Sequence, residues 1–450
     1  MTNISRQLAF DVLQNIYQKK AYTDLALQKI FLQDSAQNVS AVDRHLVSEL
    51  VYGVIRRKRT LDSLINQLAS KKASQQPLKL RIILQLGLYQ LRYLDKIPPS
   101  AAVNTSVELA KDNGLKKLSG VVNGILRSYL RQSAENDCLV LPNEKIPYLG
   151  VKYSFPDWII SIFQQQFSWT ETEQLLQWFN QSPHLDLRVN ILQIKRAELQ
   201  QRLLNIGIET TTLPHLPQAL RVQESVGNLA SLPEFEQGLF TIQDASAQLV
   251  AHLLNPQLGE TVIDACAAPG GKATHLAELM NDTGRIIAVD CHASRLKKIT
   301  ENINRLKLKA IAIYESDSAT LDLGERIADR VLVDVPCSGL GTLHKNPDIR
   351  WQKKPEQIPP LRKLQLQILQ NTAQWVKQGG VLVYSTCTLN PAENEEIISD
   401  FLANNPQWYL DIKSNKLDDN FSLTSKGIVK IFPPREEMDG FFMAKLVRGD

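Results

Sequence analysis

Paired cysteines are missing from this 450-residue chain. Its five, at positions 138, 266, 291, 337 and 387, are odd in number and scattered, which excludes a disulfide framework. No CxxC pair is present, so no zinc site is expected and no metal is assigned. Unpaired thiols suit a reducing cytoplasm, where a catalytic thiol stays free. Long apolar runs are absent as well, and none approaches the ~18 residues that a membrane span needs. The N-terminal stretch has no basic n-region, apolar h-region and small-residue cleavage site, so secretion is not expected. Neither the GxGxxG dinucleotide fingerprint nor the phosphate-cradling P-loop occurs. What remains is the composition of a soluble globular protein, 43% hydrophobic and 22% charged, long enough for two or three domains.

The net charge of +4 is unevenly spread. Residues 1–140 hold 20 Lys and Arg against 11 Asp and Glu, and the remainder holds 31 against 36. A basic module joined to a mildly acidic one fits a part that grips nucleic acid, and equally a solvated basic surface. Apolar residues recur at helical spacing in Leu8-Ala9-Phe10-Val12-Leu13-Ile16, in Leu46-Leu50-Val51-Val54-Ile55 and in Leu80-Ile82-Ile83-Leu84-Leu86-Leu88-Leu91. Pro98-Pro99 breaks the pattern, and further helices run toward Leu109 and from Leu118 to Leu130. These spacings predict an all-α bundle of six or seven helices.

A helical and α+β connector is expected over 141–235, with strands at 185–190 and 220–223 around a helix at 196–204. Arg188-Val189-Asn190 in it has a functional and a structural reading that the sequence does not separate. From Leu239 onward strands alternate with helices: strands at 261–265, 286–290, 310–314, 330–335 and 380–385, helices near 272–281, 293–306 and 360–377. Ile428 to Phe432 and Phe441 to Val447 are expected to add an antiparallel edge. This rhythm predicts an α/β, Rossmann-like, doubly wound domain over 236–450.

Three features of that domain carry chemistry. The turn Cys266-Ala267-Ala268-Pro269-Gly270-Gly271-Lys272 follows a strand and opens a helix, and its glycines allow close backbone approach. Asp290 closes the next strand, where a carboxylate can accept ribose hydroxyls, and Asp317 follows the third, in reach of an adenine edge. A nicotinamide cofactor and S-adenosylmethionine both fit, so the thiols decide. Cys337, in Asp334-Val-Pro-Cys-Ser-Gly339, and Cys387, in Ser385-Thr-Cys-Thr388, each follow a strand. Cytosine carbon five is a poor nucleophile until a thiolate adds at carbon six, and the thiol must then leave as the carbon-five proton is lost. Two cysteines at neighbouring strand ends suit attack and release. Asn390-Pro391-Ala392-Glu393 reads as an N-cap, a Pro at N1 and a carboxylate at N3, predicting a helix just past Cys387. Such a helix would lower the thiol's pKa, while Glu393, Glu395 and Glu396 oppose it. Arg350-Trp351 is read either as a cation and ring beside a flipped nucleotide or as a loop anchor.

The Pro-Cys and Thr-Cys pair, with the glycine turn, Glu393-Asn-Glu-Glu396 and Asp439-Gly-Phe-Phe442, resembles the RNA cytosine-5 methyltransferase family across the C-terminal half. Val51-Tyr-Gly-Val-Ile-Arg56, Pro98-Pro99, Val107-Glu-Leu-Ala-Lys111 and Val122-Asn-Gly-Ile-Leu-Arg127 resemble the NusB-type RNA-binding helical domain, placed over 1–140. The resemblance implies S-adenosylmethionine as cofactor, held by Cys266 to Lys272, Asp290, Asp317 and Asp334. It implies Cys387 as nucleophile and Cys337 as the release cysteine. Asp334 and Lys272 are left between base and cofactor. With the NusB-like domain, the implied substrate is small-subunit ribosomal RNA, its target base flipped from the stack. A transfer RNA substrate is the alternative, and a non-catalytic RNA-binding factor is a reading of another class. DNA is disfavoured, because DNA cytosine methyltransferases attack with the Pro-Cys thiol. A cytoplasmic monomer with no membrane contact is expected.

Overall fold

The computed structural model describes residues 4–32, 39–224, 226–411 and 427–449. They divide into two compact units, Met1–Gln181 with Leu343–Lys353, and Ser182–Thr342 with Lys354–Asp450.

The first unit is helical. It comprises α1 (Ile4–Lys19), α2 (Thr23–Phe31), α3 (Ala41–Arg56), α4 (Lys58–Leu68), α5 (Leu78–Tyr93), α6 (Pro99–Asp112), α7 (Ser119–Ser133), α8 (Lys145–Tyr153), α9 (Asp157–Gln164) and α10 (Trp169–Trp178). The apolar stripes read from the sequence are its core: Phe10, Leu13, Leu50, Val54, Ile83, Leu86 and Leu126 are buried together. Gly53 within Val51-Tyr-Gly-Val54 has a packing reason. A Cβ there would lie 1.9 Å from Cζ of Tyr89, so glycine leaves room for the Tyr89 ring of α5 against α3. Among the described residues no helix is long and apolar enough to cross a membrane.

Leu343–Lys353 packs with this helical unit although it follows the Cys337 segment in sequence. Arg350 is fully buried and donates to the carbonyls of Phe179 (2.6 Å), Arg56 (3.2 Å), Leu343 (3.3 Å) and Ser154 (3.4 Å) and to Asn180 Oδ1 (2.9 Å). The Phe155 ring covers its guanidinium at 3.8 Å, and Trp351 Nε1 donates to Ile55 O at 2.8 Å. Of the two readings of Arg350-Trp351, the anchor is correct: Nη1 and Nη2 are committed to five acceptors, and the whole guanidinium is buried, out of a nucleotide's reach.

In the second unit, β1 (Leu185–Val189), β2 (Thr210–Leu213), β3 (Leu216–Val222) and β4 (Phe240–Ile242) form an antiparallel sheet in the order β2-β3-β1-β4, covered by α11 (Arg196–Asn205). β2 and β4 were not anticipated, because a Thr-rich and a three-residue strand carry little apolar pattern. α12 (Ala245–Leu254) leads into the larger sheet. Its elements are β5 (Thr261–Asp264), α13 (Gly271–Leu279), β6 (Arg285–Asp290), α14 (Ala293–Leu306), β7 (Ile311–Glu315), β8 (Ala328–Asp334), α15 (Ile358–Gln374), β9 (Val376–Thr386), α16 (Glu395–Asn404), β10 (Trp408–Leu410), β11 (Ile428–Lys430) and β12 (Phe442–Arg448). The order is β10-β12-β9-β8-β5-β6-β7, with β11 on β12. Strands β5 to β9 pair in parallel.

The chain builds outward from β5 to β7, then returns to β8 on the other flank of β5. That reversal opens a crevice at the carboxyl ends of β5 and β8, the place where such sheets bind ligands. The expected antiparallel edge is present: β12 pairs antiparallel with β9 and carries β10 and β11 beyond it, so its Phe442–Leu446 run is buried.

Candidate active site

Two strand ends set the thiols against each other. Asp334 of β8 pairs in register with Ser385 of β9, so the segments leaving both strands run side by side. Cys337 Sγ and Cys387 Sγ lie 3.4 Å apart, within hydrogen-bond range for sulfur. The hydrogen bond with Cys387, burial, and the charges of Cys387, Glu393 and Asp334 push the Cys337 thiol well above its ordinary range. Cys337 therefore keeps its proton at neutral pH and can donate it toward Cys387. Glycines close the site: Gly341 N donates to Cys387 O and Gly440 N to Gly341 O, each at 2.9 Å. A Cβ on Gly341 would lie 1.9 Å from Gly440 O, which accounts for the Asp439-Gly-Phe-Phe442 motif.

Asp334 and Lys272 stand next to this pair. Lys272 Nζ lies 2.6 Å from Asp334 Oδ2, Ser385 Oγ donates to Asp334 Oδ1 at 2.8 Å, and the Phe441 ring sits 5.4 Å from the ammonium. Burial works against the charge on Lys272, but Asp334, with Cys387 and Asp264, leaves its pKa above the ordinary value.

The glycine turn fits between β5 and α13. Ala267 N donates to Val289 O (2.9 Å) and Ala268 N to Asp290 Oδ2 (3.2 Å), so the turn is stitched to the end of β6. Gly270 has φ +99°, a conformation that a side chain strains. Asp290 also accepts from His292 N, and exposed Asp317 turns its Oδ1 to Ala319 N just past β7. Cys266 has the bland role: burial and the carboxylates around it push its thiol well up, leaving it unreactive. Asp290, Cys291 and His292 bring three potential metal-ligand atoms within 4.8 Å of one another, and both Asp290 oxygens already accept backbone N–H groups.

Four residues contribute in ways the sequence reading did not assign. Arg188 is a positioning residue: it forks onto Glu278 of α13 (Nε 3.0 Å, Nη2 2.8 Å) and donates to Thr274 Oγ1 (2.9 Å), Gln243 Oε1 and Gly271 O (2.6 Å). The small sheet thus grips α13 from its first turn, at Gly271 and Thr274, to its last, at Glu278. Asn190 ties Gly238 O to Leu192 N. Glu393 is fully buried and occupied with Ser338, Gln365 and Asn390. The expected helix after the thiol is only a short 3₁₀ turn, Pro391–Glu393, capped by Asn390, and α16 starts at Glu395. Asn390 caps that turn and Pro391 opens it as read, while the Glu393 carboxylate accepts from Ser338 and from the cap residue Asn390.

The fourth is Asp264, at the end of β5, buried with neither carboxylate oxygen hydrogen-bonded. Burial and the charge of Asp334, opposed by Lys272, raise its pKa to about 7. The unfolded chain releases this proton near the ordinary carboxylate value of about 4, while the folded chain holds it to about 7. The fold therefore loses stability as pH rises through that window. Asp264→Asn is expected to unfold at a higher temperature than wild type at pH 8, with the gap closing toward pH 4. An equal difference at both pH values would show that this carboxyl does not titrate in the fold.

An open doubly wound sheet with a glycine turn at its switch point and two facing thiols at its strand ends defines a class of α/β proteins that take a ligand at the carboxyl ends of their strands. Comparison with known proteins narrows it. Residues 251–447 match the model of the 16S rRNA methyltransferase RsmB/F family, residues 3–131 the NusB family, and residues 155–227 the ferredoxin-like domain of RsmF/B-like methyltransferases. The probable ribosomal RNA small subunit methyltransferase B of Synechocystis sp. is 49% identical, covering 98% of this chain and 99% of that protein. Its Bacillus subtilis counterpart is 35% identical, covering 98% of both. The crystal structure of PH0851 superposes with a TM-score of 0.81 at 25% identity, covering 99% of each chain. The chain belongs to the ribosomal RNA small subunit methyltransferase B family and is an rRNA methyltransferase.

Proposed function

We propose that the protein methylates carbon five of a cytosine in small-subunit ribosomal RNA, with Cys387 as nucleophile and S-adenosylmethionine as donor. The observation that carries the reading is the Cys337–Cys387 contact beside the Lys272–Asp334 pair. The charge of the cofactor crevice supports the donor. Asp264, Asp290 and Asp334 lie within electrostatic range of one another, with Lys272 opposing them. That surround suits a sulfonium carrying an ammonium group and repels a pyrophosphate, which disfavours a nicotinamide cofactor. Asp290 and Asp317 would hold the ribose and adenine, and the turn from Cys266 to Lys272 the remainder. S-adenosylmethionine, when bound, supplies an electrophilic methyl group.

The chain's own residues do the rest. The Cys387 thiolate adds to carbon six, and the ring electrons move toward carbon five, where the new bond forms. Lys272 and Asp334 orient the ring. Release then breaks the carbon six–sulfur bond. Its electron pair returns to Cys387 Sγ, the carbon-five proton passes to water, and the ring double bond re-forms. The Cys337 S–H steadies the departing sulfur by its hydrogen bond. The names of the Synechocystis and Bacillus relatives support ribosomal rather than transfer RNA, and the NusB match supports an RNA-holding role for residues 3–131. The five free cysteines fit work in the cytoplasm.

Incubation of the protein with methyl-labelled S-adenosylmethionine and unmodified small-subunit rRNA tests the reading. Label recovered as 5-methylcytosine at one position, with binding that weakens steeply as salt rises, is the expected result. Transfer to tRNA alone would replace the substrate, and tight RNA binding without transfer would leave a binding factor.

A further inference from the structure

The Glu393 carboxylate is fully buried, its hydrogen-bond donors among the described residues are the neutral Ser338, Gln365 and Asn390, and every bond it makes leads to one of the two cysteine segments. Its Oε1 accepts from Ser338 N (2.8 Å) and Gln365 Nε2 (3.0 Å), its Oε2 from Ser338 Oγ (2.5 Å) and Asn390 Nδ2 (3.0 Å). Ser338 directly follows Cys337, and its hydroxyl also lies 2.8 Å from Thr388 Oγ1, the residue after Cys387. Gln365 donates in addition to Pro336 O at 2.9 Å, so both neighbours of Cys337 are held from the same point. The Glu393 carbonyl accepts the Tyr384 hydroxyl at 2.7 Å, and Asn394 bonds Thr386 Oγ1 (2.6 Å) and Thr388 O (2.9 Å). The carboxylate is thus the clasp between two segments whose sulfurs touch.

We propose that Glu393 is a positioning residue for the release step: it fixes Cys337 Sγ against Cys387 Sγ so that Cys337 presents its S–H to the departing sulfur. The inference rests on the cysteine roles above. A buried negative charge held by four donors is an expensive feature that a packing role does not need, since a neutral amide or an apolar side chain would fill the space. The same charge works against ionisation of Cys337, which keeps a hydrogen there to donate.

The test uses the full-length protein with unmodified rRNA and S-adenosylmethionine, and reads three things: the protein–RNA adduct on a denaturing gel, turnover, and iodoacetamide labelling of Cys337 without RNA. Glu393→Gln keeps the size but removes the charge and reverses one acceptor. Its adduct fraction is expected to rise about tenfold toward that of Cys337→Ala, with turnover falling in parallel and Cys337 becoming alkylatable at neutral pH. Ser338→Ala, which removes the hydroxyl's bonds to Glu393 and Thr388 but keeps the charge and the Ser338 N–H bond, should give a smaller rise. A proportionate fall of adduct and turnover, or an adduct fraction equal to wild type, overturns the proposal. Cys337→Ala that itself traps no adduct overturns instead the reading on which the proposal stands.

Discussion

Cys387→Ala is expected to abolish methyl transfer, by on the order of 10⁴-fold or more, and to form no covalent complex with RNA. Without the thiolate, carbon five of cytosine has no electron density to share, and nothing else among the site's side chains can supply it: Cys337 holds its proton and Lys272 is engaged by Asp334. Cys337→Ala should behave in the opposite manner. Cys387 still attacks, the methyl group still transfers once, and release stalls, so a protein–RNA adduct builds up to a stoichiometric burst. Methyl label should travel with that adduct. Placing both measurements on one gel distinguishes the assignments, because an adduct that needs Cys337 and not Cys387 would invert the two roles. The 3.4 Å sulfur contact makes the pair interdependent. A double variant should therefore resemble Cys387→Ala rather than show the sum of two losses.

The largest effect on stability is expected from Arg188→Ala. Arg188 and Glu278 are both fully buried, and deleting the cation leaves a buried carboxylate whose pKa burial already raises. Breaking a buried pair from one side costs about 3–5 kcal/mol. Urea unfolding should show that loss as a lower midpoint. Replacing both partners by apolar residues, Arg188→Met with Glu278→Leu, should recover most of the stability, since no unpaired charge remains. Cofactor affinity should not recover with it. The double variant still lacks the donor to Gly271 O, and the turn that approaches the cofactor loses its support from the small sheet. Calorimetric titration with S-adenosylmethionine beside the unfolding curves checks both halves. Recovery of binding together with stability would reduce Arg188 to a packing element.

The legible parts of this protein were those written in short-range pattern. The helical stripes of α1, α3 and α5 follow from a period of 3.6, and the strands β5, β6, β8 and β9 from apolar runs bounded by turns. The glycine turn and the two cysteines were visible because their chemistry needs particular residues at particular strand ends. β2 and β4 were invisible, one rich in threonine and the other only three residues long, and the pairing of β12 with β9 was hidden because strand order is not local. The main partner of Glu393 was hidden for a related reason. Asn390-Pro391-Ala392-Glu393 obeys the local grammar of a helix start, yet Ser338, some fifty residues earlier, offers the carboxylate two short hydrogen bonds and wins.

Arg350 makes the same point from the other direction. A basic residue beside a tryptophan looks like a nucleotide contact until the carbonyls of four segments are folded around it. By itself the sequence determined which thiols stand at strand ends, which strands deliver them, where the glycine turn opens a helix, and that an α-helical module precedes an α/β one. Only the tertiary structure decided which charged groups are spent on holding the site. Whether Arg188, Arg350, Glu393 and Asp264 meet partners or remain unpaired depends on residues tens to hundreds of positions away, and burial turns that pairing into their function.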